Sequence, residues 1–385
     1  MSVGEVRSAA PLVAAIQARC PRQRIVVTTM TPTGADQVAA LFGSRVEHAY
    51  APYDFPDAVA RFIDRVRPEL AIIAETEFWP NLFAELGRRS IPLHLVNVRM
   101  SKASFRGYGF VGDTVRDMFS HAVLICAQTP IDAQRLRNLG VDPEKIEVAG
   151  NLKFDVPVPE ALIAAGRTLR TAWGEDRPVL IAASTHSGED AQVLDAFTVL
   201  RKRFPTLLLV LVPRHPERFS AVVRQVGHAG FNVARRSEYR HRLPGHTDVL
   251  VGDTMGELHK LYGACDVAFV GGSLVRHGGQ NLLEAFSVAV PVVFGPHMFH
   301  FEEISAMALD RGAAFQVRDS GELADRVAGL LEQPSLRRAA ARAGAAMLTE
   351  NRGALGRTLE LMAGRSPAAL TNNSSDHEAV IFRAP

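Results

Sequence analysis

The fold of this chain is decided by a stretch at residues 70–90, LAIIAETEFWPNLFAELGRRS. Its first five residues are apolar without alternation, which is typical of a strand buried on both faces of a sheet. Pro80 then opens an amphipathic segment that ends in two arginines, as expected of a helix with proline in its first turn and basic residues in its last. A buried strand that leads directly into a helix predicts one unit of a parallel sheet covered by helices.

This strand-and-helix pattern recurs along most of the chain. In the first half the strand-like segments include RIVVTT at 24–29 and PLHLVNV at 92–98, and the pattern restarts with PVLIAAST at 178–185. We therefore predict an α/β protein with two Rossmann-like, doubly wound domains and an interdomain cleft for ligands. The predicted boundaries are 1–155 for an N-terminal domain, 156–177 for a linker and helix, 178–345 for a C-terminal domain, 346–365 for a C-terminal helix and 366–385 for a disordered tail.

Composition excludes several classes of protein. The 385 residues are 47% hydrophobic and 22% charged, with a formal net charge of +2, and lack the overall basic signature of a nucleic-acid binder. Three scattered cysteines argue against a disulfide framework and indicate a reducing compartment. The apolar runs are far shorter than the roughly 20 residues of a membrane-spanning helix, and no segment has the pattern of a signal peptide. We also expect no metal site, because the histidines and glutamates at 297–303 are typical of a solvated loop.

Candidate site residues of the first half follow its predicted strands, because ligands of doubly wound sheets bind beyond the carboxyl ends of the strands. Glu75 and Glu77 alternate after one strand, which puts both side chains on one face of an extended chain. Acids at the start of a helix are the alternative interpretation. Lys153 follows a Gly-Asn turn and is either a partner for negative charge or an ordinary surface lysine.

Residues after the strands of the second half suit an anion. Arg214 and His215 stand between two prolines that stiffen the turn, and a fixed guanidinium binds phosphate or carboxylate unless a local acid pairs with it. The segment GDTMGEL at 252–258 is typical of a helix N-terminus with free backbone donors. Two glycine pairs at 271–279 let the backbone approach a ligand, or serve only as tight turns. Acids in the first half and anion binders in the second predict an enzyme with a nucleotide-sugar donor and a hydroxyl acceptor.

A series of motifs in fixed order resembles the 3-deoxy-D-manno-octulosonic acid (Kdo) transferases of lipopolysaccharide synthesis. From Ser2 to about Gly312 the series reads SVGEV, TTMTPTG, ETEFWPN, GNLKFD, STHSGE, PRHPERF, GDTMGEL, GGSLV, GGQN and FGPHMF. The resemblance implies a GT-B fold whose last helices pack on the first domain. It implies inverting, metal-independent transfer of Kdo from CMP-Kdo to a lipid A precursor, lipid IVA, at the cytoplasmic face of the inner membrane. The implied partners are the donor, the lipid acceptor and the membrane surface, with no cofactor and no nucleic acid.

The resemblance also implies roles for individual residues. Glu5, the glutamate of the S-x-G-E motif, is implied as the general base that deprotonates the acceptor hydroxyl. Glu75 and Lys153 are implied as the pair that stabilises the charges of the transition state. The residues implied to contact CMP are Arg214, His215, Met255, Gly256, Glu257, Asn281, Leu282, Leu283 and Glu284, with Gly272, Ser273 and Gly279 as a possible donor loop.

Four positions depart from the family pattern. Arg276 and His277 stand where a proline and an apolar residue are common, Ala285 stands where proline is usual, and His300 stands where asparagine is usual. These departures bear on loop rigidity and donor fit, and they remove no implied catalytic residue.

The start of the sequence departs furthest from the family. There S-x-G-E follows a strand and an apolar, basic membrane anchor, whereas here the motif lies at 2–5. We therefore expect the first strand and the anchor to be missing, the neighbouring strands to expose apolar surface and unpaired backbone groups, and the chain to be weakly active or unstable. Two other hypotheses stay open: another GT-B nucleotide-sugar enzyme, such as a UDP-sugar transferase or epimerase, and a truncated relic that binds CMP without catalysis.

Overall fold

The chain forms two units that each contain one parallel sheet. The computed structural model describes residues 3–75, 77, 79–110, 112–155, 160–239, 242–367, 370 and 379–383. The first unit is Met1–Val156 with Asn351–Pro385, and the second is Pro157–Glu350. Each has a seven-stranded sheet covered by helices, so the predicted α/β architecture of two Rossmann-like domains is confirmed.

The first unit has the strand order β2-β1-β14-β3-β4-β5-β6, with every neighbouring pair parallel. Its strands are β1 (Arg24–Thr29), β2 (Glu47–Tyr50), β3 (Pro68–Ala74), β4 (Leu93–Val98), β5 (Leu124–Ala127), β6 (Ile146–Val148) and β14 (Ala379–Arg383). Its helices are α1 (Val3–Arg19), α2 (Pro32–Phe42), α3 (Pro56–Val66), α4 (Pro80–Arg88), α5 (Lys102–Gly109), α6 (Gly112–Ser120), α7 (Pro130–Asn138) and α16 (Ala354–Arg365). The central strands are buried along their length because helices cover both faces of the sheet.

The core of the first unit lies in two layers, one on each face of the sheet. Successive residues of β3 alternate between them, with Leu70 in one layer and Ala71 in the other. The layer that contains Leu70 also contains Leu12 of α1 and Met362 of α16. The last helix is therefore part of the first unit, as the resemblance implies.

The strand β14 lies in the interior of the first sheet, between β1 and β3. It runs parallel to both, with Val380 opposite Ile25 of β1 and Leu70 of β3, and all five of its residues are buried. The prediction of a disordered tail at 366–385 is therefore wrong for 379–383. Residues 368–369, 371–378 and 384–385 of that predicted tail lie outside the described part of the chain.

The expected gap in the first sheet is filled by β14. An open slot between two parallel strands would leave a row of unpaired N–H and C=O groups on each side, and β14 supplies partners for both rows. The apolar residues of the flanking strands are covered as well, since Ile25, Val26 and Leu70 are at most 3% exposed. The expectation that these strands expose apolar surface is therefore wrong.

The second unit has the strand order β13-β12-β11-β7-β8-β10-β9, again all parallel. Its strands are β7 (Val179–Thr185), β8 (Leu208–Pro213), β9 (Val233–Arg235), β10 (Val249–Val251), β11 (Val267–Val270), β12 (Val292–Phe294) and β13 (Ala314–Gln316). Its helices are α8 (Glu160–Trp173), α9 (Glu189–Arg203), α10 (Phe219–His228), α11 (Leu258–Tyr262), α12 (Leu283–Phe286), α13 (Glu302–Asp310), α14 (Ser320–Glu332) and α15 (Pro334–Glu350).

The helix predicted at 346–365 is two helices. The helix α15 ends at Glu350 and α16 begins at Ala354, with Gly353 between them at φ 91°. This left-handed conformation is readily adopted by glycine and interrupts the helix. Among the described helices, none combines the length and the apolar character that a membrane span requires.

The position of β14 predicts a large effect of truncating Phe382. Its side chain is completely buried, so we expect Phe382→Ala to cost about 3–5 kcal/mol in the free energy of unfolding of the first unit. Urea unfolding followed by circular dichroism measures this as a lowered midpoint. The matched control is Phe110→Ala, whose ring is 91% exposed and whose loss should change the midpoint little. Equal midpoints for both variants would contradict an interior position of β14.

Candidate active site

Glu75 stands directly after β3, in a turn with unusual backbone geometry. Its φ is 63°, in the left-handed region that non-glycine residues seldom adopt. The turn is held to the neighbouring strand, because the Glu75 N–H donates a hydrogen bond of 2.8 Å to the carbonyl oxygen of Val96. A residue kept in such a conformation needs surroundings that fix it, and such residues cluster at functional sites.

Lys153 contacts Glu75 in the folded chain. Lys153 lies in a short 3₁₀ turn at Leu152–Asp155 that follows β6, and its Nζ is 3.7 Å from Glu75 Oε1. This separation is an ion pair rather than a direct hydrogen bond. The two side chains are 23% and 27% exposed, so both remain accessible to a ligand. The structure thus brings together a carboxylate and an ammonium from strand ends that are 78 residues apart in sequence.

Asn97 positions the turn that carries Lys153. The side chain of Asn97 is 2% exposed, and its Oδ1 accepts a hydrogen bond of 3.0 Å from the N–H of Leu152. Asn97 is itself left-handed, at φ 56°, where the pairing of β4 with β5 slips in register. Sequence reasoning missed Asn97. The available signal was an asparagine inside the otherwise apolar strand LHLVNV.

Glu77 and Glu5 are placed differently from Glu75. Glu77 does not share the partner of Glu75, because its Oε2 accepts hydrogen bonds from Trp79 at 2.7 Å and from Arg383 at 3.0 Å. Glu5 lies in the first turn of α1, and its side chain is outside the described part of the structure.

In the second unit, Arg214 and His215 follow β8 as predicted. The Arg214 N–H donates to the carbonyl oxygen of Thr185 at 3.0 Å, which ties this turn to the end of β7. His215 is partly exposed, and its ring is 5.5 Å from that of His186 in an edge-on arrangement. His186 in turn stacks on His277, with ring centroids 4.2 Å apart. Three imidazoles therefore gather at the ends of these strands.

The ring of His186 is kept neutral by its surroundings. Burial is the main cause, and the neighbouring His277, His215, Arg214 and Arg218 add to it, so that the pKa of His186 falls to about 4. Its Nε2 lies 3.1 Å from the side-chain amide of Gln280, a distance that suits a neutral acceptor nitrogen. Sequence reasoning gave His186 no role, although it lies in the motif STHSGE, and considered His277 only as a departure from the family pattern.

Glu189 organises the glycine-rich loop that follows β11. Its carboxylate is completely buried and accepts backbone hydrogen bonds from Gly272, Ser273 and Leu274 at 2.7–3.0 Å, together with one from His186 at 3.1 Å. Burial raises the pKa of Glu189, and these four hydrogen bonds oppose the rise. A buried carboxylate therefore fixes the conformation of this loop, and the N–H groups of residues 272–274 are already hydrogen-bonded to it.

The possible donor-loop residues differ in what they offer. Gly272 and Gly279 have φ of 68° and 76°, conformations that favour glycine. Ser273 is completely buried, and its hydroxyl bonds internally to the carbonyl oxygen of Val270 and the N–H of Gly295. Only the backbone of this loop can therefore approach a ligand at Gly272 and Gly279, while Ser273 holds the loop in place.

In the segment Met255–Glu257, the first residue is exposed and the last is held by side-chain hydrogen bonds. Met255 is 60% exposed and Gly256 is left-handed at φ 80°. Burial disfavours the charge on Glu257, yet hydrogen bonds from Thr254, Arg236 and Lys260 outweigh it and lower the pKa of Glu257 to about 2. The carboxylate of Glu257 thus anchors this loop.

The four residues at 281–284 divide between the surface and the core. Leu282 and Leu283 are buried, whereas Asn281 and Glu284 are partly exposed. The Oδ1 of Asn281 accepts a hydrogen bond of 3.1 Å from the N–H of Leu283, which fixes the entry to α12. Asn281 and Glu284 are therefore the residues of this segment that can present polar groups to a ligand. Within the described ranges, no cluster of three or more His, Cys, Asp or Glu side chains is arranged to hold a metal ion.

Two parallel seven-stranded sheets, each covered by helices, place this chain in the GT-B fold class. Solved structures with the same fold include a putative UDP-N-acetylglucosamine 2-epimerase from Listeria monocytogenes, with a TM-score of 0.59 at 15% identity over 98% of this chain and 97% of that one. A glycosyltransferase from Rickettsia africae has a TM-score of 0.56 at 13% identity over 97% and 95%. At these identities only the fold is shared.

Sequence comparisons identify the family. A family model described as 3-Deoxy-D-manno-octulosonic-acid transferase (kdotransferase) matches residues 1–156, and one described as Glycosyl transferases group 1 matches 188–347. The 3-deoxy-D-manno-octulosonic acid transferase of Haemophilus influenzae is 44% identical over 94% of this chain and 84% of its own length. The transferase of the same name from Bordetella pertussis is 39% identical over 94% and 85%. The chain belongs to the Kdo transferase family.

The hydrogen bonds of Glu257 predict a pH-dependent loss of stability in Glu257→Gln. The pKa of this carboxyl falls from 4.5 to about 2 in the folded chain, so ionised Glu257 stabilises the second unit above pH 4.5. We expect the variant to lose roughly 3 kcal/mol at pH 7, at about 1.4 kcal/mol per unit of pKa, and the difference from wild type to vanish as the pH falls towards 2. Urea midpoints between pH 7 and pH 2.5 measure this. The exposed Glu238→Gln is the control, and a deficit that stays constant with pH would refute the assignment.

Proposed function

We propose that this chain transfers Kdo from CMP-Kdo to a lipid A precursor, lipid IVA, in lipopolysaccharide inner-core synthesis, with inversion and without a metal ion. The observation that carries the proposal is the ion pair of Glu75 with Lys153 at the end of β3. Its support is the 44% identity to a transferase named for Kdo. Attack by a hydroxyl on the anomeric carbon breaks the bond to the CMP phosphate, so CMP leaves with the electron pair and the hydroxyl loses its proton.

Glu5 is the proposed general base that takes this proton from the acceptor hydroxyl. It precedes Val6, whose side chain is completely buried in the core of the first unit. Val6 thereby anchors the first turn of α1 in the core of this unit.

Glu75 and Lys153 are proposed to stabilise the two charges that develop in the transition state. The sugar ring becomes positive as its bond to CMP breaks, and the departing phosphate becomes negative. A carboxylate and an ammonium held 3.7 Å apart offer one charge of each sign without reorganisation. The left-handed backbone of Glu75 supports this assignment. Such a conformation costs energy, persists only where the surrounding structure fixes it, and is frequent at active sites.

The second unit is proposed to bind the CMP moiety. Arg214 and His215 supply cationic and hydrogen-bonding groups for the phosphate, and the tips at Met255 and Gly256 and at Asn281 supply contacts around the nucleoside. Glu284 is the proposed acceptor for ribose hydroxyls. In this proposal Glu257, Leu282, Leu283 and Ser273 support the binding surface from beneath, consistent with their internal contacts.

The proposed acceptor is a membrane lipid, and we propose that the reaction takes place at the cytoplasmic face of the inner membrane, as the resemblance to the Kdo transferases implies. We propose that the chain reaches the acceptor from the membrane surface as a peripheral protein.

A transfer assay tests the proposed reaction and the Glu75–Lys153 pair. With radiolabelled CMP-Kdo and lipid IVA, we expect Glu75→Gln and Lys153→Met each to lower kcat by about 10²–10³, the usual loss for one preorganised charge. The double variant should lose less than the product of the two, because paired residues are not additive. Lys202→Met is the control, since this exposed lysine lies in the second unit, in the last turn of α9. Turnover of a UDP-sugar in place of CMP-Kdo would refute the proposed donor.

Calorimetric titration with CMP tests the donor half separately. Loss of a hydrogen bond from a charged group costs about 1.5–3 kcal/mol, so Arg214→Ala should weaken CMP binding by roughly 10- to 100-fold. Arg224→Ala, an exposed arginine of α10, is the matched control and should bind CMP like the wild type. Equal affinities for the two variants would remove Arg214 from the proposed CMP site.

A further inference from the structure

The last residue of β14, Arg383, is a charged side chain in the interior of the first unit. It is 4% exposed and lies opposite Thr28 of β1 and Ile73 of β3. Burying a guanidinium is costly unless it is paired and hydrogen-bonded. The groups that pair with Arg383 therefore indicate what this residue does.

Arg383, Glu77 and Trp79 form a closed cluster of three side chains. The Arg383 Nε donates to Glu77 Oε2 at 3.0 Å, and the indole N–H of Trp79 donates to the same oxygen at 2.7 Å. The guanidinium carbon also lies 3.6 Å from the centroid of the Trp79 ring, a cation–π contact. Each member thus holds the other two.

This cluster belongs to the turn that carries Glu75. Arg383 is level with Ile73, two residues before Glu75, and Glu77 comes two residues after it. Further along, Asp54 accepts backbone hydrogen bonds from Asn81 at 3.0 Å and from Leu82 at 2.9 Å. The chain that follows Glu75 is therefore held at Glu77 by Arg383 and at the start of α4 by Asp54, and the left-handed backbone of Glu75 depends on such support.

Stability alone does not account for a buried charge at this position. A buried ion pair contributes little compared with apolar residues of similar volume, since both charges lose their hydration. What the pair does provide is a defined geometry, because a planar guanidinium fixes the direction of its acceptor and of the ring beneath it.

We propose that Arg383 is a positioning residue for Kdo transfer, and that by holding Glu77 and Trp79 it fixes Glu75 opposite Lys153. This inference rests on the proposed function. The strand β14 thereby supplies the first unit with both an interior strand and an organiser of the candidate catalytic turn.

The test compares three variants in the transfer assay and in urea unfolding. Arg383→Met leaves the carboxylate of Glu77 buried without its cation, so it can fail through instability alone. The double variant Arg383→Met/Glu77→Gln removes both charges and leaves an amide oxygen for the Trp79 indole. Arg383→Lys keeps the charge but loses the planar contact. The control is Arg24→Met/Glu47→Gln, a more exposed Arg–Glu pair at the starts of β1 and β2 in the same sheet.

We expect the double variant to recover a urea midpoint near that of the wild type while its kcat stays at least tenfold lower, with KM for CMP-Kdo unchanged. Arg383→Lys should fall between the wild type and the double variant in kcat, and the control pair should have wild-type kcat. Recovery of kcat to within twofold of wild type in the double variant would overturn the proposal and leave a purely structural role. A wild-type protein that does not turn over CMP-Kdo would instead refute the proposed function.

Discussion

Backbone pairing across the middle of the first sheet is the constraint on which this unit depends. The strands β1 and β3 both have buried residues on either face, and neither edge can meet water without leaving polar backbone groups unpaired. The segment Ala379–Arg383 satisfies both edges at once. Its side chains complete the core layers on both faces, with Val380 in one and Ile381 in the other. A segment from the far end of the chain is thus as central to this unit as the strands beside it.

Several turns that carry candidate site residues begin at a residue with left-handed backbone, at or near the end of a strand. Glu75 directly follows β3, Asn97 lies near the end of β4 and Ser184 near the end of β7, all with φ between 56° and 63°. The register slips at Asn97 and Ser184, which redirects the chain from the sheet into the loop. At Ser184 the result is a very close approach, since a Cβ at Gly271 would lie 2.6 Å from the Ser184 carbonyl oxygen. Glycine is therefore required at position 271.

Two carboxylates, the buried Glu189 and the partly buried Glu257, fix the shape of loops in the second unit. Glu189 accepts hydrogen bonds from backbone N–H groups of the glycine-rich loop. Glu257 accepts hydrogen bonds from the side chains of Arg236, Thr254 and Lys260. An ionised acid accepts several hydrogen bonds at once, so one residue can fix a whole turn. The oxygens of both acids are used in these internal hydrogen bonds, so a ligand meets mainly the exposed tips of the loops.

The sequence by itself determined the parallel α/β architecture, because continuous apolar strands followed by helices are a local pattern. It also determined the family, through an ordered series of motifs that includes the turns of Glu75 and Lys153. Only the tertiary structure decided where Ala379–Arg383 lies and what Asn97 and Arg383 hold. The reason is physical: a segment of four apolar residues and one arginine carries no local information about which strands it will join. Its partners, like those of a buried Asn or Arg, are remote in sequence. They come within reach only when the sheet forms, and burial then requires that the backbone groups and the charge be paired.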